Sequence, residues 1–218
     1  VPEHAPPTVA FAATDPGLAA AVAPLFDAGG RVILKPRRGA GGAGVLVLHR
    51  EDELATIAAR IGGLRLPRSF DDGTWVAQAF VPGELVSVEG YVTHGSVRTL
   101  GFTDRRKVGA TESGAGFPAR VSPDVAAIAR ESLDLLVARS GLSRAWFHVE
   151  LITGPSGTFL IDANVGRIGG GPMGDLVSIA FDVDPVDVYR HVLEISLFGE
   201  ASVDPFAGVV RDGLLWGR

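Results

Sequence analysis

A pair of acids, Glu150 and Asp162, each inside a short apolar run, is the feature of this chain that most directly suggests chemistry. In Trp146-Phe147-His148-Val149-Glu150-Leu151-Ile152 the two-residue period of a strand puts Trp146, His148 and Glu150 on one face. The run Thr158-Phe159-Leu160-Ile161-Asp162 groups Thr158, Leu160 and Asp162 in the same way. A three-residue turn at Pro155 to Gly157, with Gly157 taking a positive φ, then sets Glu150 directly opposite Asp162. Like charges across a ladder destabilise it unless a cation lies between them, and Mg²⁺ takes carboxylate oxygens together with substrate phosphates. Asn164 offers a third oxygen. Arg167 and the run Gly169-Gly170-Gly171 come directly after, a permanent cation and bare backbone suited to steadying a transferring phosphoryl group. Solvated acids and a surface arginine are the plainer alternatives.

A second cluster lies earlier. Gly39-x-Gly41-x-x-Gly44 has the dinucleotide-binding spacing, but that mechanism needs a helix N-terminus next, and Val45-Leu46-Val47-Leu48 reads as a strand. No Gly-Lys-Ser/Thr comes after it, so the Walker pattern fails as well. What remains is a glycine hairpin whose backbone N–H groups can close over phosphates, flanked by the cations Lys35, Arg37 and Arg38. The alternative is a flexible hairpin with solvated basic residues.

The elements that must carry these residues are legible from periodicity and punctuation. Thr14-Asp15-Pro16 opens a helix that Gly29-Gly30 stops, Arg31 to Pro36 and Val45 to Leu48 are strands about the glycine hairpin, and Glu51 to Ile61 is a helix. From Trp75 onward the spacing predicts a meander of antiparallel strands over Trp75 to Val81, Leu85 to Thr93 and Val97 to Thr103. Ser122-Pro123-Asp124 caps a long helix with the stripe Val125, Ile128, Ala129, Leu133, Leu136 and Val137, ending at Gly141. After the acidic hairpin comes a glycine-rich loop, Gly166 to Gly174, and Asp184-Pro185 starts a last helix up to Gly199.

Composition narrows the function classes. The 218 residues (22.7 kDa) are 46% hydrophobic and 21% charged, a globular mixture. A net charge of −5 with no basic run argues against nucleic acid as partner. The sequence has no apolar stretch of membrane-spanning length and no signal-peptide pattern, and it contains no cysteine, so a soluble protein of the reducing cytoplasm is expected.

In order and spacing, Lys35-Pro with its glycine hairpin, Gln78-Ala79-Phe80-Val81-Pro82-Gly83, His148-x-Glu150 and Asp162-x-Asn164 followed by Arg167-x-Gly-Gly resemble the ATP-grasp superfamily. The stretch Leu85 to Thr103 is most similar to carboxylate–amine ligases resembling L-amino acid ligases. The resemblance implies an α+β fold with two subdomains of antiparallel sheet plus helices and ATP between them: a small lid over residues 1–77 and a larger subdomain over 78–218. It further implies that Lys35 and Arg37 bind ATP phosphates, Gly41 and Gly42 form the covering loop, and Gln78, Phe80 and Val81 hold adenine at a hinge. Glu84 would serve the ribose, Glu150, Asp162 and Asn164 would hold magnesium, and Arg167 would contact an acyl phosphate. The reaction implied joins a small-molecule carboxylate to an amine at the expense of ATP.

The chain departs from the family pattern in several places. Glu is usual where Gln78 and Asp162 stand, the ribose-binding acid aligns nearer Leu85 than Glu84, and Asp162 lies five residues from Arg167 instead of four. Another register would put Ala163 at the metal position; strand parity favours Asp162. These departures keep open a rival reading, a non-catalytic nucleotide-binding or assembly module. Family members carry an α/β domain before this region, and residues 1–34 contain no Lys, so a missing N-terminal domain or partner chain is expected. A homodimer is a further possibility.

Overall fold

The structure, a computed structural model, describes residues 4–39, 41–49, 56–70, 72–108, 111–170 and 172–207. The chain divides into two compact units, His4–Val81 and the residues from Pro82 onward. The division falls four positions after the expected 77/78 boundary, because the strand leading to it runs on through Ala79.

The first unit is a four-stranded antiparallel sheet in the order β1-β4-β2-β3: β1 (Thr8–Ala12), β4 (Thr74–Ala79), β2 (Arg31–Pro36) and β3 (Leu46–His49). Strand β2 alternates cleanly. Val32, Leu34 and Pro36 are buried, while Arg31, Ile33 and Lys35 are half-exposed on the other face. The buried side meets α1 (Leu18–Gly29) and α2 (Ile57–Gly62) in a core of Val22, Leu25, Phe26, Val32, Leu34, Leu48, Ile57 and Trp75. Helix α1 starts a little later than expected: the Asp15 carboxylate accepts the N–H of Gly17 at 2.7 Å, and Gly17 becomes the cap. The expected helix start at Glu51 lies outside the described residues. Strand β1 has no counterpart in the sequence-based expectation. It claims β4 for this sheet, so Trp75 to Val81 does not belong to the meander predicted from the sequence.

The second unit is a five-stranded antiparallel sheet in the order β7-β6-β5-β8-β9. Its strands are β5 (Glu84–Thr93), β6 (Ser96–Val108), β7 (Thr111–Ala119), β8 (Ala145–Gly154) and β9 (Gly157–Val165). One face packs on α3 (Pro123–Ser140), whose Val125, Ala129, Leu133 and Val137 meet Val88, Phe147, Val149 and Leu151. Ser122 caps α3, its hydroxyl accepting the Val125 N–H at 3.3 Å. The other face packs at one end on α4 (Met173–Phe181) and α5 (Pro185–Phe198), through Tyr91, Trp146, Leu176, Val188, Ile195 and Phe206. Helix α4 lies inside and beyond the segment expected to be a glycine-rich loop. None of the described helices is long and apolar enough to cross a membrane.

A polar network ties the segment after α5 to this sheet. Tyr91 Oη donates to Asp204 at 2.9 Å, and Trp146 Nε1 donates to His191 Nδ1 at 3.2 Å, with the aromatic rings packed edge-on around Phe206. Because Nδ1 accepts from the indole, the proton of neutral His191 is on Nε2, 3.7 Å from Asp204. Burial holds the His191 pKa below its ordinary 6.5, against the opposing pull of Asp204 and Glu194. As pH falls, the unfolded chain therefore takes up this proton first. The stability the ring contributes is complete above about pH 6.5 and is lost as pH drops below it. Between about pH 8 and about pH 5, the urea midpoint should accordingly fall further for the parent chain than for His191→Gln. Equal falls would take His191 out of the acid response.

Candidate active site

In the first unit the expected nucleotide residues share strand faces and one turn. Lys35 lies half-buried on the β2 face that also bears Ile33, and Ile33 is paired with Gln78 of β4. Gly41, Gly42 and Gly44 take φ of 61°, 73° and 78°, a left-handed path that favours glycine and turns backbone outward. Arg37 is engaged: it donates to Asp72 at 2.8 and 3.3 Å, and Arg38 lies 3.7 Å from the same carboxylate. The Arg37 bond, the Thr74 N–H and both guanidinium charges hold the Asp72 carboxyl below the usual range. Gln78 is buried and donates its amide N–H to Thr8 Oγ1 at 3.2 Å. The Arg31 guanidinium covers one face of Phe80 at 3.7 Å from the ring centre. Val81 is half-exposed at the end of this unit, and Glu84, exposed, opens β5 of the other.

In the second unit β8 and β9 set Glu150 opposite Asp162, as parity requires, but by another route. The turn holds two residues, Pro155 and Ser156, with Gly157 at φ 120°. On that count alone Glu150 would meet Ile161. A bulge after Leu160 inserts the extra residue, and the ladder resumes with Asp162 beside Glu150, Ala163 beside Val149 and Asn164 beside His148. The Ala163 register is thereby excluded. Asn164 bridges to both neighbours: its Nδ2 donates to Asp162 at 3.1 Å and its Oδ1 accepts from Arg167 at 2.5 Å. Before Arg167 the chain passes through Gly166, at φ 89°, whose N–H returns to the Trp146 carbonyl at 2.8 Å.

The sequence pattern calls for a metal between the two acids. Beside Glu150 lies a side-chain cation: Arg105 of β6, only 9% exposed, 3.7 Å from its Oε1. Among the described residues no three His, Asp or Glu side chains converge as a ready cage. The donor set still suits a hard cation. Two carboxylates and an amide oxygen with a lone pair to spare occupy neighbouring positions on one sheet face, and Mg²⁺ ordinarily completes such sets with water and phosphate.

Around Glu150 lies a buried network that the sequence pattern does not assign. Glu89 of β5, wholly buried, accepts at Oε1 from His148 Nδ1 at 2.7 Å, from Ser87 at 2.9 Å and from Thr103 at 3.3 Å. His148 Nε2 is 3.0 Å from Arg105 and 3.4 Å from Glu150. Burial works against a charged imidazole, but the hydrogen bonds with Glu150 and Glu89 outweigh it and raise His148 from 6.5 to about 9. Arg105 imposes the opposite demand, since a guanidinium can only donate and its contact requires a bare Nε2. The two contacts thus compete for Nε2: Arg105 at 3.0 Å is served by the unprotonated nitrogen, Glu150 at 3.4 Å by the charged ring. Gly169 closes the network from outside: a Cβ there would lie 2.8 Å from His148 Nδ1 and 3.2 Å from Glu89 Oε2. The signal for Glu89 is present in Leu85-Val-Ser-Val-Glu-Gly-Tyr, where period two places Ser87 and Glu89 on one face of an otherwise apolar strand. Arg105 is hidden from such a reading because β6 runs five residues past its expected end at Thr103.

Comparison with known proteins fits this geometry. Residues 29–175 match the model of the ATP-grasp domain. No curated protein matches in sequence. Among solved structures, D-alanyl-alanine synthetase A from Vibrio cholerae superposes with a TM-score of 0.66 at 12% identity, over 89% of this chain and 60% of that one. Biotin carboxylase from Campylobacter jejuni gives 0.70 at 18% identity, over 93% and 44%. The L-amino acid ligase from Bacillus licheniformis gives 0.65 at 19%, over 91% and 44%. The chain thus spans three fifths or less of the length of these neighbours, and at such identities the likeness is one of fold. Its two antiparallel sheets and helices are the ATP-grasp fold, and the family match across two thirds of its length assigns it: the chain belongs to the ATP-grasp domain family.

Proposed function

We propose that this chain is the ATP-binding and catalytic part of a ligase that joins a carboxylate to an amine through an acyl phosphate. The observation that carries this reading is the set on one face of β8 and β9: Glu150 paired with Asp162, and Asn164 hydrogen-bonded to both Asp162 and Arg167. The C–N ligases among the fold neighbours support it. In this reading Lys35 and the turn at Gly41-Gly42 take the ATP phosphates, and the backbone of Gln78 to Val81 takes adenine. Glu84 takes the ribose. Arg37 joins the phosphate set by exchanging Asp72 for a phosphate oxygen.

Mg²⁺, held by Glu150, Asp162 and Asn164, would neutralise charge on the phosphate oxygens. A carboxylate oxygen of the substrate attacks the γ-phosphorus and ADP leaves; the amine nitrogen then attacks the acyl carbon, expelling phosphate. Arg167, steered by Asn164, steadies the equatorial oxygens of the transferring group and then the acyl phosphate. Consumption of ATP is the basis for the cytoplasm as its setting. The rival reading, a nucleotide-binding module without turnover, draws on Arg105, which already compensates Glu150.

Two measurements test these assignments. Lys35→Ala should weaken ATP binding by calorimetry about 10- to 100-fold, the loss of one charge-assisted contact; unchanged affinity would remove Lys35 from the site. Asp162→Asn should lower ADP release, with Mg²⁺, a carboxylate and an amine present, by at least about tenfold while leaving ATP bound. A parent chain that binds ATP tightly and releases no ADP across a broad panel of acids and amines would establish the rival reading.

A further inference from the structure

Glu89 is difficult to explain as a stabilising residue. Its side chain is wholly buried, its Oε1 gathers three donors, and its buried Oε2 meets no partner among the described residues. Desolvating a carboxylate so placed is costly, and a half-satisfied polar group is worse for stability than an apolar one. What Glu89 does accomplish is directional. A carboxylate accepts, so the 2.7 Å contact turns the Nδ1 side of the His148 ring to Glu89, and Nε2 is left to serve as the acceptor that a donor-only guanidinium requires. That acceptor faces Arg105 Nη1 at 3.0 Å, while Arg105 Nη2 lies 3.7 Å from Glu150. The guanidinium is thereby held at two points, on the face that bears Glu150 and Asp162. Both its holders belong to β8, an inner strand fixed by its ladder with β5, where His148 is paired with Glu89 and Glu150 with Ser87.

We propose that Glu89 and His148 are a positioning pair whose task is to seat the Arg105 guanidinium beside Glu150, in reach of the anionic oxygens of the reacting carboxylate. The inference rests on the ligase reading for the identity of that anion, but the seating of Arg105 is a property of the chain alone. Without His148, Arg105 loses the shorter of these two contacts, and misplacement of a reacting-site charge by an ångström can cost about 10²-fold in rate. His148 acts through Arg105, so removing both should cost no more than removing Arg105.

The test uses the full chain in two arms. In the first, ADP release is measured for His148→Gln, Arg105→Lys and the double variant, with melting temperatures alongside. Expected is a fall in kcat of about 10- to 100-fold for His148→Gln with the KM for ATP within about twofold, and a double variant no slower than Arg105→Lys. Effects that multiply, or an unchanged kcat in His148→Gln, overturn the pairing. The second arm needs no turnover: ¹⁵N NMR of the Arg105 side chain should show a resolved Nε–H resonance in the parent that collapses toward the free-arginine position in His148→Gln. It should do so as well in Glu89→Gln, which keeps the volume and an acceptor but loses the charge if the first variant fails to fold. A collapse in a chain that releases no ADP upholds the positioning pair and sinks the ligase reading. Normal ADP release with an Arg105 resonance indifferent to both variants does the reverse.

Discussion

Everything in the larger unit depends on the pairing of β8 with its two neighbours. Phe147, Val149 and Leu151 supply the core against α3, and between them Trp146, His148 and Glu150 supply the opposite face. A slip of one residue in either ladder would exchange the two sets, burying two titratable residues against α3 and exposing three large apolar ones. Register here is therefore enforced by hydrophobic burial, roughly 1.5–3 kcal/mol per large side chain, and the site inherits that precision without any interaction of its own. Stability and chemistry are specified by alternate positions of the same strand.

The division of labour on the polar face arises from the same geometry. Near α4 and α5 the row is aromatic and closed, with Tyr91 and Trp146 packed on Phe206. Two positions along each strand it becomes Glu89 and His148, still buried but polar, and two further it reaches Ser87, buried as well, then opens at Glu150 and, on β9, Asp162. Exposure rises along β8 and across to β9. Glu150 remains 19% exposed at its side chain and Asp162 is exposed. A gradient of this kind gives the inner residues fixed partners and leaves the outer carboxylates able to exchange theirs.

Much of this is legible in the sequence where the signal is local. Strand β2, the helices α3 and α5 with their Ser122 and Asp184 caps, and the face shared by His148 and Glu150 can be read from period and punctuation. Strand β7 is not legible, because Thr111-Glu-Ser-Gly-Ala-Gly-Phe-Pro-Ala is glycine- and proline-rich and extends only through its pairing with β6. Helix α4 is masked by the glycines before it. The partner of β4 escapes for a related reason: proximity in sequence favours β5, and only long-range pairing with β1 and β2 decides otherwise. The compensation of Glu150 by Arg105 is of the same kind, since it joins strands whose adjacency no local pattern announces.

The bulge at Ile161 has a consequence for how this hairpin can vary among related chains. It is a single surplus residue taken up without displacing its successors: after it Asp162, Ala163 and Asn164 meet their partners in order. Deleting Ile161 would leave Leu160 and Asp162 as consecutive rungs with the acids still facing one another. An insertion or deletion at this point is thus nearly silent in space while it shifts the spacing counted from Glu150 along the chain. Homologues aligned by a fixed interval between the two acids would be scored as having lost a motif that their ladders retain.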